Sequence, residues 1–93
     1  MRQMMFSDAQ SQLKSAEILP GGRYHKGGAL ILRELLKKES ISFMDYDNLD
    51  FVTGQKLLDT NIVAFHPDSC EITFQSTVMK RFCEEILALW ERK

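Results

Sequence analysis

Apolar positions follow a helical rhythm over most of this chain and an alternating one around residue 70. Met5, Ala9, Leu13 and Ala16 return every three to four positions, which predicts a helix over 7–19. Ser7 followed by Gln10 fits a capping box. Pro20-Gly21-Gly22 breaks the pattern, and residues 20–28, closing on Gly27-Gly28, read as a glycine-rich linker. From Ala29 to Lys38, Ile31, Leu32, Leu35 and Leu36 form one apolar stripe, with Arg33, Lys37 and Lys38 mostly outside it. Ile41-Ser42-Phe43 alternates like a short strand.

Two short helices are expected next. Asp45 is placed to cap one that carries Leu49, Phe51 and Val52. Thr53 is placed to cap the other, with Leu57 and Leu58 inward and Asn61 as its end. The stretches 62–66 and 71–75 are strand-like and flank Pro67-Asp68-Ser69, a turn sequence, so they predict a hairpin. Ser76 then caps a last helix that runs to about Arg92.

After the first helix the order is helix, short strand, helix, helix, hairpin, helix. A pair of short helices ahead of a two-stranded wing is the winged-helix order, a variant of helix-turn-helix. The expected fold is therefore α+β and mostly helical. It is a winged helix over 29–93, preceded by an extra N-terminal helix over 1–19 and the linker over 20–28, in one compact unit. With 93 residues the chain suits one domain and is too short for two.

Charge changes the picture of what such a domain would touch. The net charge is −1, which lacks the basic excess usual in nucleic-acid binders. A DNA-reading winged helix inserts its second short helix into the major groove. Here that helix would offer Gln55, Lys56, Asp59 and Thr60. Between Ser40 and Gln75, Lys56 stands alone against Asp45, Asp47, Asp50, Asp59, Asp68 and Glu71, a net charge of −5. Phosphate attraction supplies most non-specific DNA affinity, and this stretch repels it. Residues 1–40 carry the opposite sign, a net +3. Arg23, His25, Lys26, Arg33, Lys37 and Lys38 are the candidate contacts to phosphate or an acidic partner, against the plainer reading of a solvated helix face and polar loop.

Candidate chemistry is thin. Gly22 and Gly27 have the glycine spacing of a phosphate-binding loop, but Gly28 stands where its lysine belongs and no strand precedes it. His25, His66, Cys70 and Cys83 are the possible metal ligands, with no CxxC or HxxxH spacing among them. Cys70 with His66 as its base lacks a third member and an oxyanion loop. Asp45, Asp47 and Asp50 have no apparent pocket to raise either pKa of a pair. No catalytic residue, cofactor or metal is expected. Two cysteines are too few for a disulfide framework, which points to a reducing intracellular compartment, cytoplasmic or nuclear. No apolar run reaches the roughly 18 residues of a membrane span.

The last helix carries the strongest signal. Its apolar arc covers more than half the circumference, whereas a helix on the outside of a small domain needs about 100°. Phe82, Ile86 and Leu89 suffice for a core. Met79, Cys83, Leu87 and Trp90 then need a cover. The N-terminal helix, with Met4, Met5, Phe6 and Leu13, is one cover; a protein partner is the other.

From about Gly28 onward the chain resembles the winged-helix segments that follow the ATPase module in P-loop ATPases of the AAA+ and STAND groups. The resemblance lies in Leu32-Arg33-Glu34-Leu35-Leu36, in Leu57-Leu58-Asp59-Thr60-Asn61-Ile62-Val63, and in Ile72-Thr73-Phe74-Gln75-Ser76 leading into the closing helix. It implies a domain of a larger polypeptide that contacts a neighbouring ATPase module or an external protein. The nucleotide site would lie outside these residues. The leading expectation is a non-catalytic protein-interaction module. A nucleic-acid binder using the basic N-terminal third and a self-associating dimer built on the first and last helices are the alternatives.

Overall fold

The computed structural model describes residues 6–91. Among them are five helices and a three-stranded antiparallel sheet, an α+β layout compatible with a winged helix. The helices are α1 (Phe6–Ser15), α2 (His25–Lys38), α3 (Phe43–Leu49), α4 (Phe51–Asp59) and α5 (Thr77–Glu91). The strands are β1 (Ile41–Ser42), β2 (Val63–His66) and β3 (Glu71–Phe74), in the order β1-β3-β2. Met4 and Met5, and the side chains of Phe6 and Ser7 with the capping box expected there, lie outside the described part.

Helix α1 stops at Ser15, short of the expected Leu19, because Glu17 turns left-handed at φ 61°. The Ile18 N–H then donates to the Leu13 carbonyl and the Glu17 N–H to that of Lys14. This is a Schellman closure without its usual glycine. It swings Ile18 into the core, where it is fully buried.

The expected linker is held in place by its neighbours. Helix α2 opens at His25, four residues before Ala29, and takes both glycines into its first turns. Gly28 is buried, and a Cβ there would sit 2.6 Å from Ile18 Cβ. A Cβ on Gly27 would collide with the Asp50 carboxylate and the Thr53 hydroxyl. These glycines permit close approach and are not flexible breaks. Ahead of them, Tyr24 N–H donates to Glu17 O and His25 Nδ1–H to Ile18 O, both at 2.8 Å.

The two short helices are offset from expectation. Ser42, not Asp45, caps α3, accepting from the Asp45 N–H at 3.2 Å. Asp50, not Thr53, caps α4, accepting from the Thr53 N–H at 3.0 Å. The extended backbone of Asp50 ends α3 and starts α4 at once, and Thr53 becomes a buried position in the second helix. Asn61, at φ 60°, ends α4 with a second Schellman closure, as its side chain leads one to expect. Tyr46 lies under α4, its hydroxyl donating to Gly54 O at 2.8 Å.

Strands β2 and β3 pair from Val63↔Phe74 to His66↔Glu71, and β1 adds Ile41↔Ile72 on the other edge of β3. Ile72 and Phe74 point inward in alternation. Ser76 caps α5 through the Met79 N–H. The core joins Ala9 and Leu13 of α1, Ile31, Leu32 and Leu35 of α2, Leu57 of α4, the inward strand residues, and Met79, Phe82, Cys83 and Leu87 of α5. No helix among the described residues is long and apolar enough to cross a membrane.

Candidate interaction surfaces

Four α5 residues were expected to need a cover, from α1 or from a partner, and three of them find it inside the chain. Met79, Cys83 and Leu87 are buried, and α1 packs over this helix with Leu13 and Ala9 in the same core. Trp90 is half-buried, its ring edge-on to His25 with centroids 4.7 Å apart. Leu89, expected inside, is 58% exposed. The apolar arc was wide enough to seat the helix in more than one rotation. The tight packing of α1 and α2 selects Met79, Cys83 and Leu87 for the interior. Burial pushes the Cys83 thiol up to about 12. Helices α1 and α5, on which the self-associating dimer was expected, pack on each other within one chain.

Helix α4 brings two adjacent large apolar groups to solvent. Phe51 is 58% and Val52 54% exposed, at the end of the helix that Asp50 caps. Thr53, Gly54 and Leu57 face inward. The outward row continues through Gln55, half-buried, to Asp59, exposed. Lys56 is also half-buried, its ammonium 5.7 Å from the centre of the Tyr24 ring, within cation–π range. The one cation of this helix is therefore engaged with its own fold. On α3, Met44 is exposed, and Phe43 meets Phe65 of β2 edge-on at 5.1 Å. Among the described residues, Asp45, Asp47, Asp59 and Asp68 form no ion pair, so the negative charge of this side stands open.

Phe51 and Val52 escaped the sequence pattern because it placed them in the preceding helix with Leu49. The signal that finds them is Asp50. Read as an N-cap, it shifts the phase of the following helix so that Thr53, Gly54 and Leu57 form the inner face.

Three of the basic residues share one face of α2. Arg23 precedes α2, Lys26 lies in its first turn and Lys37 in its last, and all three are exposed. Lys26, Leu30, Arg33 and Lys37 form a single outward row. Arg33 Nε donates to Glu91 Oε1 at 2.8 Å, and Lys38 sits 3.7 Å from Glu34 away from that row.

The polar clusters have structural partners. His66 Nε2 is 2.7 Å from Thr73 Oγ1 across the hairpin, so its ring is engaged away from Cys70. Cys70 is exposed in the turn at φ 56°, and both cysteines are free thiols. Among the described residues no three His, Cys, Asp or Glu side chains converge on a metal-sized site. An open groove of about 350 Å³ runs between α1 and the end of α4, lined by Ser11, Gln12, Ser15, Asp59, Thr60 and Asn61. Gln12 Nε2 donates to Thr60 O there at 2.9 Å and ties α1 to α4. No family model, curated protein or solved structure matches this chain.

Proposed function

We propose that this chain is a non-catalytic winged-helix module that docks on a protein, as one part of a larger polypeptide, with an ATPase of the AAA+ or STAND kind as the parent its pattern resembles. The outward face of α4 carries this reading. In a DNA-reading winged helix this position presents donors and cations to base edges and phosphates. Here it presents Phe51, Val52, Gln55 and Asp59, with Lys56 held over Tyr24. Exposed large apolar side chains suit a protein interface, whereas open carboxylates repel a duplex. The α3–α4 pair leading into the β2–β3 hairpin, with β1 on its far edge, supports the winged-helix assignment. The nucleic-acid reading has less support, because the one cation of α4 lies over Tyr24 and the carboxylates of this side stand open.

A photoreactive phenylalanine analogue at position 51 tests the proposal in cells that express the full gene. Adducts to protein, absent when the analogue replaces exposed Thr77 instead, are expected. Adducts to nucleic acid alone, or salt-sensitive duplex binding that Lys26→Glu with Lys37→Glu abolishes, would overturn it.

A further inference from the structure

The chain carries two outward helix rows of opposite character. On α2 the row is Lys26, Leu30, Arg33 and Lys37; on α4 it is Val52, Gln55 and Asp59, with Phe51 beside Val52. Leu30, at 37% exposure, and Val52, at 54%, are apolar members of the two rows. From Leu30 to Lys37 is seven residues, and so is the step from Val52 to Asp59, each about 10.5 Å along a helix at 1.5 Å per residue. Laid side by side and parallel, the rows bring Leu30 onto Val52, Arg33 onto Gln55 and Lys37 onto Asp59. The antiparallel arrangement breaks this match.

We infer that the α4 face takes the α2 face of a second copy of this chain, head to tail. This rests on the reading of α4 as the docking face and adds the occupant. Charge complementarity supports it: the α2 row carries Lys26, Arg33 and Lys37 and no carboxylate, while the α4 row carries Asp59 and no cation. The Arg33–Glu91 pair is more than half exposed, so it holds Arg33 only weakly against exchange for a contact in the neighbour. The two rows are different surfaces, so the contact is heterologous. Each copy keeps one free row of each kind, and association continues into rings or open chains.

Light scattering on the whole chain after gel filtration reads this directly. Wild type grows past the dimer as concentration rises in about 0.01 M salt, and returns to the monomer in about 1 M salt, where charges reach only about 3 Å. Leu30→Asp and Val52→Asp each remain monomers with an unchanged circular dichroism spectrum, since both positions are exposed. An equimolar mixture of the two gives dimers and nothing larger, because only one competent pair of faces remains. Lys37→Glu weakens wild-type association at least tenfold, and adding Asp59→Lys to the same chain restores it. A wild type that stays monomeric throughout overturns the second-copy inference, while protein adducts from position 51 still decide the docking face. Association that survives both Asp variants, or a mixture that stays monomeric, overturns it equally.

Discussion

The apolar side of α5 and the outward side of α4 hold similar residues and meet opposite fates. Met79, Cys83 and Leu87 disappear beneath α1 and α2, while Phe51 and Val52 stand in solvent. The α5 arc is the wider of the two, yet it is largely satisfied within the chain. The α4 pair is short, and among the described residues it keeps more than half of its surface exposed. Apolar width along a helix therefore measures how much cover is needed and not whether the fold supplies it. Exposure follows from which neighbour reaches the face, and α1 reaches α5.

That contrast can be broken by substitution, and the largest effect is expected on the buried side. Met79→Ala should cost about 2–5 kcal/mol in denaturant unfolding, the range for emptying a packed site. Phe51→Ser should stay within about 0.5 kcal/mol, as exposed positions do. Comparable losses from both would erase the distinction between the two faces. Leu87→Ser is a poor probe of a partner surface, because it would unfold the domain before reporting on binding.

Next in size is the glycine contact that seats α1. Gly28→Val places a side chain against Ile18, where even a Cβ lies 2.6 Å from its neighbour, and should cost about 1–3 kcal/mol or more. Thiol labelling sharpens the reading: Cys70 should react at once, and Cys83 only as the α1 cover loosens in that variant. Asp50→Ala removes the cap that sets the phase of α4 and should cost about 0.5–2 kcal/mol, with amide exchange rising first at Phe51–Thr53. An unchanged exchange pattern there would show that Asp50 does not set the register.

The smallest effect in ordinary buffers is the alkaline one. Burial raises the Cys83 thiol from 9.0 to about 12, so the unfolded chain ionises first. Its contribution is fully present below pH 9 and is lost as pH rises toward 12. Tyr46, also raised by burial and by Asp47, adds to the decline in the upper part of that window. Unfolding free energy measured across this range should fall, and more steeply than in Cys83→Ala; equal slopes would mean that Cys83 is not buried as described.

Much of the fold was legible in local chemistry. Ser76 and Asn61 mark their helix ends because capping depends on one residue and its immediate backbone. The hairpin was legible because alternation in Ile72 and Phe74 meets a turn sequence. Gly27 and Gly28 misled because their reason is tertiary: Ile18, Asp50 and Thr53 arrive from elsewhere in the chain and need the space. The candidate surface was the least legible part. Its position depends on the phase of α4, which one N-cap decides, and on the rotation of α5, which its own wide arc leaves open.

The central claim is that α4, and not α5, is the face this domain offers to other proteins. Binding of the protein captured at position 51 should therefore be compared between Phe51→Ser with Val52→Ser and the equally exposed control Leu89→Ser. A loss of at least tenfold, about 1.4 kcal/mol, is expected for the α4 pair with little change for Leu89→Ser. Loss confined to Leu89→Ser, with the α4 variant binding as wild type, would contradict the account.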